Sequence, residues 1–318
     1  MYYIGYDIGG TKCASILANV KGELINFLKR VEIATDKQSP DVILQKLYNI
    51  TTDYLKEFNV KPEAIGVSCG GPLNSKAGII ICPPNLPGWV NVPICEILTK
   101  QYNIPAYLQN DAKACAVAEW KWGAGKGTHN MIFCTMGTGF GAGIIINDKI
   151  FTGTCDMGGE VGHLRLAEDG PIGFGKAGSF EGFCSGGGIA QLTKMKAVTY
   201  LDTKTPTNLA KDYKELSEIT AKKVCNLAKE GDSHALEIVH AAATKLGEGL
   251  SLLIDILNPE AIVIGSVFAR NEELFKPIAE EIIKRECIPY SAEVCKLLPA
   301  KLGEQIGDYA AIVVAMNL

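Results

Sequence analysis

Residues 131 to 147, MIFCTMGTGFGAGIIIN, place glycine at 137, 139, 141 and 143 between two apolar runs. Ile132, Phe133 and Cys134 read as one buried strand and Ala142 to Ile146 as another, which leaves the glycines and Thr138 to turn the chain between them. Alternating glycines remove the side chains that would hold a ligand off, and they let backbone N–H groups converge on anionic oxygens. Taken alone, the same turn reads equally well as a hairpin without a ligand. A second turn of this kind, Asp7-Ile8-Gly9-Gly10-Thr11-Lys12, lies between apolar runs at Tyr2 and at Cys13 to Ala18. It adds a hydroxyl, a cation and a carboxylate suited to facing hydrated Mg²⁺. Two hairpin phosphate turns about 130 residues apart, each opening an α/β half, imply an internal duplication rather than a Rossmann or P-loop protein.

Other glycine patterns do not compete. Gly173-Phe-Gly-Lys-Ala-Gly178 matches G-x-G-x-x-G but has no β-rich run before it and no βαβ unit around it. Gly125-Lys126 is followed by Gly127, where a Walker A motif needs Ser or Thr.

A length of 318 residues implies two domains. The net charge of −4 gives no electrostatic reason for nucleic acid or an anionic membrane as partner, so small molecules are expected. Eleven dispersed cysteines without C-x-x-C spacing fit a reducing compartment. With no leader-like segment and no apolar run approaching 18 residues, a cytoplasmic protein is expected.

Along the chain, apolar residues at 43, 44, 47, 50, 54, 55 and 58 make a helical stripe from Pro40 to Phe58. Ile65 to Ser68 reads as a strand ending in Gly70-Gly71-Pro72, and Cys82 to Trp89 as a proline-rich loop in which Asn85 beside Trp89 suits a sugar rim. Ala106 to Gln109 is a strand running into Asn110-Asp111, and a helix follows from Ala112 to Trp120. On local grounds the Asn or Asp is first of all the helix N-cap. Gly153 to Gly188 is loop-rich and holds Gly159-Glu160-Val161-Gly162-His163 and Glu181, a density of Gly, Glu and His that indicates a site. Helices are expected from Ser217 to Glu230 and His234 to Leu257, then a strand from Ala261 to Ile264 that turns at Gly265-Ser266.

In this order the residues resemble the repressor, open reading frame, kinase (ROK) family of sugar kinases over essentially the whole chain. Asp7 to Lys12 resembles that family's first phosphate turn, Met136 to Gly143 its second, and Gly265-Ser266 its adenosine turn, where Gly-Gly is more usual. Asn110-Asp111 stands at the sugar-binding Asn and catalytic Asp. Gly159 to His163 matches the Gly-Glu-x-Gly-His signature, and Asn85 with Trp89 the sugar loop.

The resemblance implies an α/β, actin-like (hexokinase/Hsp70-type) ATPase fold with two duplicated α/β domains around a cleft. A smaller N-terminal domain of residues 1–112 would be completed by a helix at 303–318, and a larger one would span 113–302. It further implies ATP-dependent phosphorylation of a hexose hydroxyl, glucose O6 first. N-acetylglucosamine, N-acetylmannosamine, allose, fructose and a β-glucoside are the alternatives. Asp111 would be the base. Asn85, Asn110, Asp111, Glu160, His163 and Glu181 would bind sugar. Asp7, Gly9, Gly10, Thr11, Lys12, Gly137, Thr138, Gly139, Gly141, Gly265 and Ser266 would bind ATP with Mg²⁺, and the working form would be a homodimer.

A regulator with a winged helix-turn-helix is disfavoured, since the first turn begins at residue 7. Many relatives carry Cys-x-Cys and a further Cys after the signature histidine, which together form a zinc site. Here those three positions are Ile172, Phe174 and Ser179. No zinc is expected, with Ile172 and Phe174 ordering the loop by apolar burial.

Overall fold

The computed structural model describes residues 1–35 and 39–318. The chain divides into two compact units, one made of Met1–Lys126, Lys149–Gly158 and Glu304–Leu318, the other of Gly127–Asp148 and Gly159–Gly303.

In the first unit five strands lie in the order Leu24–Ala34, Lys12–Lys21, Tyr2–Ile8, Ala64–Cys69, Ala106–Asn110. Tyr2–Ile8 is antiparallel to Lys12–Lys21 and parallel to Ala64–Cys69, which is parallel to Ala106–Asn110. The parallel strands are therefore joined by crossover connections, with helix Pro40–Phe58 preceding Ala64–Cys69 and helix Ile94–Tyr102 preceding Ala106–Asn110, and they all end at one edge. The register Asp7↔Ser68↔Gln109 and Ile8↔Cys69↔Asn110 brings the first glycine turn, Gly70-Gly71 and Asn110-Asp111 to that edge together. This is the edge at which parallel α/β sheets place their ligands.

One face of this sheet is covered by helix Ile306–Ala315, and two glycines make room for it. Gly5 and Gly66 are paired across the parallel strands. A β-carbon at Gly5 would stand 2.8 Å from the Ala311 β-carbon, and one at Gly66 would run into the Ala311 carbonyl and Ala315. The other face is covered by helices Pro40–Phe58 and Ile94–Tyr102, whose buried Ile43, Leu44, Leu47, Ile94 and Leu98 join a core with Ile4, Tyr6, Ile65 and Val67.

The second unit repeats the plan. Phe140–Ile146, Met131–Met136, Ala261–Ile264 and Lys296–Pro299 lie side by side in that order, antiparallel at the first junction and parallel at the next two. Its core joins Ile132, Cys134, Ile262 and Ile264 to the long helix Ser233–Leu257. That helix meets Glu272–Glu286 closely at Gly247, where a β-carbon would stand 2.9 Å from the Ala279 carbonyl. Among the described residues no helix is long and apolar enough to cross a membrane.

Candidate active site

The first turn is held from below by a residue the motif does not contain. Gly9 N–H closes the turn on the Lys12 carbonyl at 3.1 Å, while the Gly9 carbonyl accepts the Thr35 hydroxyl at 2.7 Å. Thr35 N–H also takes the Thr11 carbonyl at 3.0 Å. In a trans peptide the C=O and the following N–H point in opposite directions. With the Gly9 carbonyl drawn onto Thr35, the Gly10 N–H is turned outward. Gly10 has no room for a side chain, because a β-carbon there would stand 2.7 Å from the Asn85 β-carbon.

Lys12 Nζ is paired with Glu32 Oε2 at 2.9 Å; Arg30 bonds the same oxygen and reaches Asp308 Oδ1, each at 2.9 Å. This chain of alternating charge ends beside Asp7. The Asp7 carboxylate also meets the start of helix Ile306–Ala315, where a β-carbon on Gly307 would stand 2.8 Å from Oδ2. Burial, reinforced by the negative Asp111 and Asp308, pushes the Asp7 carboxyl up to about 6 against the pull of Arg30 and Lys12.

Asn110 and Asp111 divide two tasks. Asn110 Oδ1 accepts Lys113 N–H at 3.2 Å and is the N-cap of helix Asp111–Trp122, an interaction of about 1 kcal/mol. Asp111 is therefore the first helical residue and not the cap. Its Oδ1 takes Ala112 N–H at 2.8 Å, and its Oδ2 lies towards Gly70. Desolvation raises its carboxyl above the ordinary value, opposed by the Ala112 N–H. Two residues on, Lys113 is buried, and its ammonium donates to the Asp156 carbonyl. Asp156 in turn holds Ser75 through backbone and hydroxyl, at 2.6 and 3.0 Å.

In the Cys82 to Trp89 loop the structure separates the expected pair. Asn85 is exposed, but Trp89 is 0% exposed, in the core with Ile80, Leu86 and Ile94. A large aromatic at the end of a tight loop gains more by burial than at a rim.

In the second unit, strands Met131–Met136 and Phe140–Ile146 close on the pair Met136↔Phe140, so the turn is only Gly137-Thr138-Gly139. Gly141 and Gly143 lie within the strand, opposite Thr135 and Phe133. The turn is anchored by helix Gly186–Asp202, where Gly186 N–H takes the Gly137 carbonyl at 2.7 Å and Gly187 N–H the Thr138 carbonyl at 3.3 Å. By the same planarity the Thr138 and Gly139 N–H groups point away from that helix, as an anion nest. Phe140 N–H is spent on Glu181 Oε2 at 3.0 Å, so Glu181 braces this turn. At Ser266, φ is 55° and ψ −116°. For a residue with a β-carbon this backbone costs on the order of 1–3 kcal/mol.

Gly159 and Gly162 lie flat on strand Phe140–Ile146, where β-carbons would strike the Ala142 and Phe140 carbonyls. Between and after them Glu160 and His163 are exposed around the short 3₁₀ turn Val161–His163. The stretch after His163 is built otherwise than expected. Ile172 and Phe174 are 56% and 71% exposed, so apolar burial does not order the loop. They occupy the hairpin Ile172–Gly173/Lys176–Ala177, whose two-residue tip turns at Phe174 with φ 43°.

Polar groups hold this hairpin. Gln191 Oε1 accepts Ile172 N–H at 2.6 Å, and Gln191 Nε2 donates to the Ile172 carbonyl at 3.4 Å. Ser179 caps helix Phe180–Cys184 by accepting Gly182 N–H at 3.0 Å, and Lys176 Nζ donates to the His163 carbonyl at 2.7 Å. The Phe174 ring stands edge-on to His163, with centroids 6.1 Å apart. Without thiolates at 172, 174 and 179 the donor set does not fit tetrahedral zinc. No group of three or more metal-ligating side chains is found among the described residues.

The site residues thus form two clusters, one in each unit. Asp7 to Lys12, Asn85, Asn110 and Asp111 lie in the first; Gly137 to Gly141, Glu160, His163, Glu181, Gly265 and Ser266 lie in the second. Thr35, Gly186, Gly187 and Gln191 escaped the motif reading. Ser185-Gly-Gly-Gly188, a capping residue before glycines, was the signal available for two of them.

The ROK family profile matches residues 3–317. A glucokinase of Halalkalibacterium halodurans is 32% identical over 96% of this chain and 92% of its own. A xylose repressor of Caldicellulosiruptor bescii is 30% identical over 89% of this chain and 70% of its own. Among solved structures, a ROK family glucokinase from Streptomyces griseus in complex with glucose and AMPPNP has a TM-score of 0.78 at 25% identity, covering 100% of both chains. The two duplicated α/β plans are those of the actin-like ATPase fold, and the chain belongs to the ROK family.

Proposed function

We propose that the chain is an ATP-dependent sugar kinase that phosphorylates a hexose hydroxyl, glucose O6 in the first instance. The observation that carries this reading is the division of labour at helix Asp111–Trp122. Asn110 does the capping, which leaves Asp111 with a carboxylate of raised proton affinity at the ligand edge of the sheet. Asp111 accepts the hydroxyl proton as the sugar oxygen attacks the γ-phosphorus, and ADP departs. Asn85, Asn110, Glu160, His163 and Glu181 bind sugar hydroxyls, planar amides and carboxylates being suited to vicinal pairs.

Asp7, Gly9, Gly10, Thr11 and Lys12 with Gly137, Thr138, Gly139, Gly141, Gly265 and Ser266 hold the nucleotide. Outward N–H groups at Gly10, Thr138 and Gly139 are the donors phosphate needs. Asp7 is the carboxylate that would face the water shell of Mg²⁺, which when bound with ATP would supply neutralising charge to the triphosphate. The glucokinase relative and the structure holding glucose and AMPPNP support the choice of sugar and donor. By family resemblance the working form is a homodimer, which equilibrium sedimentation checks.

The xylose repressor relative favours one second reading, a sugar-responsive regulator. An ADP-release assay over a panel of hexoses, N-acetylhexosamines and β-glucosides decides between them. Glucose is expected to give the highest kcat/KM. No turnover with any sugar, together with a sugar-dependent DNA gel shift, would install the regulator instead.

A further inference from the structure

Ser266 stands where a glycine belongs. Its φ of 55° and ψ of −116° fall close to the (60°, −120°) of the first central residue of a type II′ turn, a position dominated by glycine because a β-carbon is crowded there. The position is pinned from both sides: Gly265 N–H bonds the Cys134 carbonyl at 2.9 Å, and the Ser266 carbonyl accepts Arg270 N–H at 3.2 Å. The side chain that brings this strain is directed at the second glycine turn. Ser266 Oγ lies 3.7 Å from the point a β-carbon on Gly137 would occupy. Among the described residues no partner takes the hydroxyl. A strained serine whose hydroxyl bonds nothing in the protein is the pattern of a residue kept for a ligand.

We propose that the Ser266 hydroxyl donates to a phosphate oxygen of the bound nucleotide, and not to its base or ribose. Gly137 is where the chain enters the turn whose Thr138 and Gly139 N–H groups point outward. A donor beside it adds a third hydrogen bond to the same anion. The turn that by resemblance reads adenosine is thereby extended to the phosphate chain. This inference rests on the nucleotide-binding reading above.

Two substitutions separate the hydroxyl from the backbone. Ser266→Gly removes both the hydroxyl and the strain, whereas Ser266→Ala removes the hydroxyl alone. Calorimetric titration of the full chain with AMPPNP, inorganic tripolyphosphate and adenosine should show AMPPNP and tripolyphosphate weakened about tenfold in both variants, with adenosine unchanged. The glycine variant should also melt about 2 °C higher than the unaltered protein, while the alanine variant should not. Unaltered AMPPNP affinity in both variants overturns the inference alone, and so does an equal loss for adenosine, which would move the hydroxyl to the nucleoside. If the unaltered protein binds none of the three probes, the nucleotide reading falls and this inference falls with it.

Discussion

Gln191 clasps the backbone of Ile172 in both directions, accepting its N–H and donating to its carbonyl, much as a neighbouring strand would. Helix Gly186–Asp202 thus holds the hairpin beside His163 with one side chain and the second glycine turn with its first N–H groups. Gln191→Ala should lower stability by about 1–2 kcal/mol, two hydrogen bonds to an exposed hairpin being lost. It should raise KM for sugar several-fold while AMPPNP affinity holds, which steady-state kinetics and calorimetry together check. An equal rise in both constants would mean that the helix as a whole had shifted.

Asp111→Asn should leave the fold in place, since Asn110 and not Asp111 caps the helix. The amide keeps the shape and cannot take the proton, so kcat should fall by about 10²- to 10⁴-fold. A large drop in Tm with turnover preserved would show that the carboxylate serves stability.

Asp7 gives a dependence on pH with a definite sign. Its carboxyl is raised to about 6 in the folded chain from an ordinary 3.8, so the fold binds that proton more tightly than the unfolded chain does. Stability from this group is complete below about pH 4 and is lost as pH rises through 6, by at most about 3 kcal/mol. Asp7→Asn should therefore melt higher than the unaltered protein at pH 8 and at the same temperature near pH 4, even as ATP turnover falls. Scanning calorimetry at the two pH values checks this, and a stabilisation present at both would refute the assignment.

The part of this design that could be read from the sequence is the part written in adjacent residues. The glycine turns, the Asn110-Asp111 step and the helix Pro40–Phe58 each announce themselves within a few positions, because turn geometry, capping and helical periodicity are local. Thr35 and Gln191 act at distances of 26 and 19 residues from the backbone they hold, and nothing in their own neighbourhoods marks them. Helix Gly186–Asp202 opens with three glycines and reads as a loop, although the first two are what let the helix approach the Gly137 and Thr138 carbonyls. The expectations for Trp89 and for Ile172 and Phe174 failed in opposite directions. Trp89, read as part of a rim, follows the tendency of its residue type into the core, whereas Ile172 and Phe174, read as buried, are held exposed in a hairpin that the rest of the fold positions.

Gly186→Ala tests the anchoring of the second turn. Its β-carbon would stand 2.9 Å from the Gly137 carbonyl, so either the turn or the helix must move. AMPPNP affinity should drop at least tenfold with secondary structure by circular dichroism unchanged. Affinity equal to that of the unaltered protein would show that the N–H groups of this turn are not used.

Because the donor set does not fit zinc, dialysis against a strong chelator followed by Mg²⁺ should change neither Tm nor activity. About one zinc per chain by elemental analysis, with activity regained only on zinc, would overturn this.

The fit of helix Ile306–Ala315 against Gly5 and Gly66 has a consequence for biosynthesis. The sheet that begins at Tyr2 is covered on that face by Ile306–Ala315, a helix made about 300 residues later. At about 5–20 residues per second, the ribosome delivers that helix roughly 15–60 s after the first strand. For that interval the groove at Gly5 and Gly66 is open, and the second unit, encoded in between, can close first. Truncation before residue 304 should therefore leave a nascent first unit that chaperones hold and proteases cut, while the second unit survives.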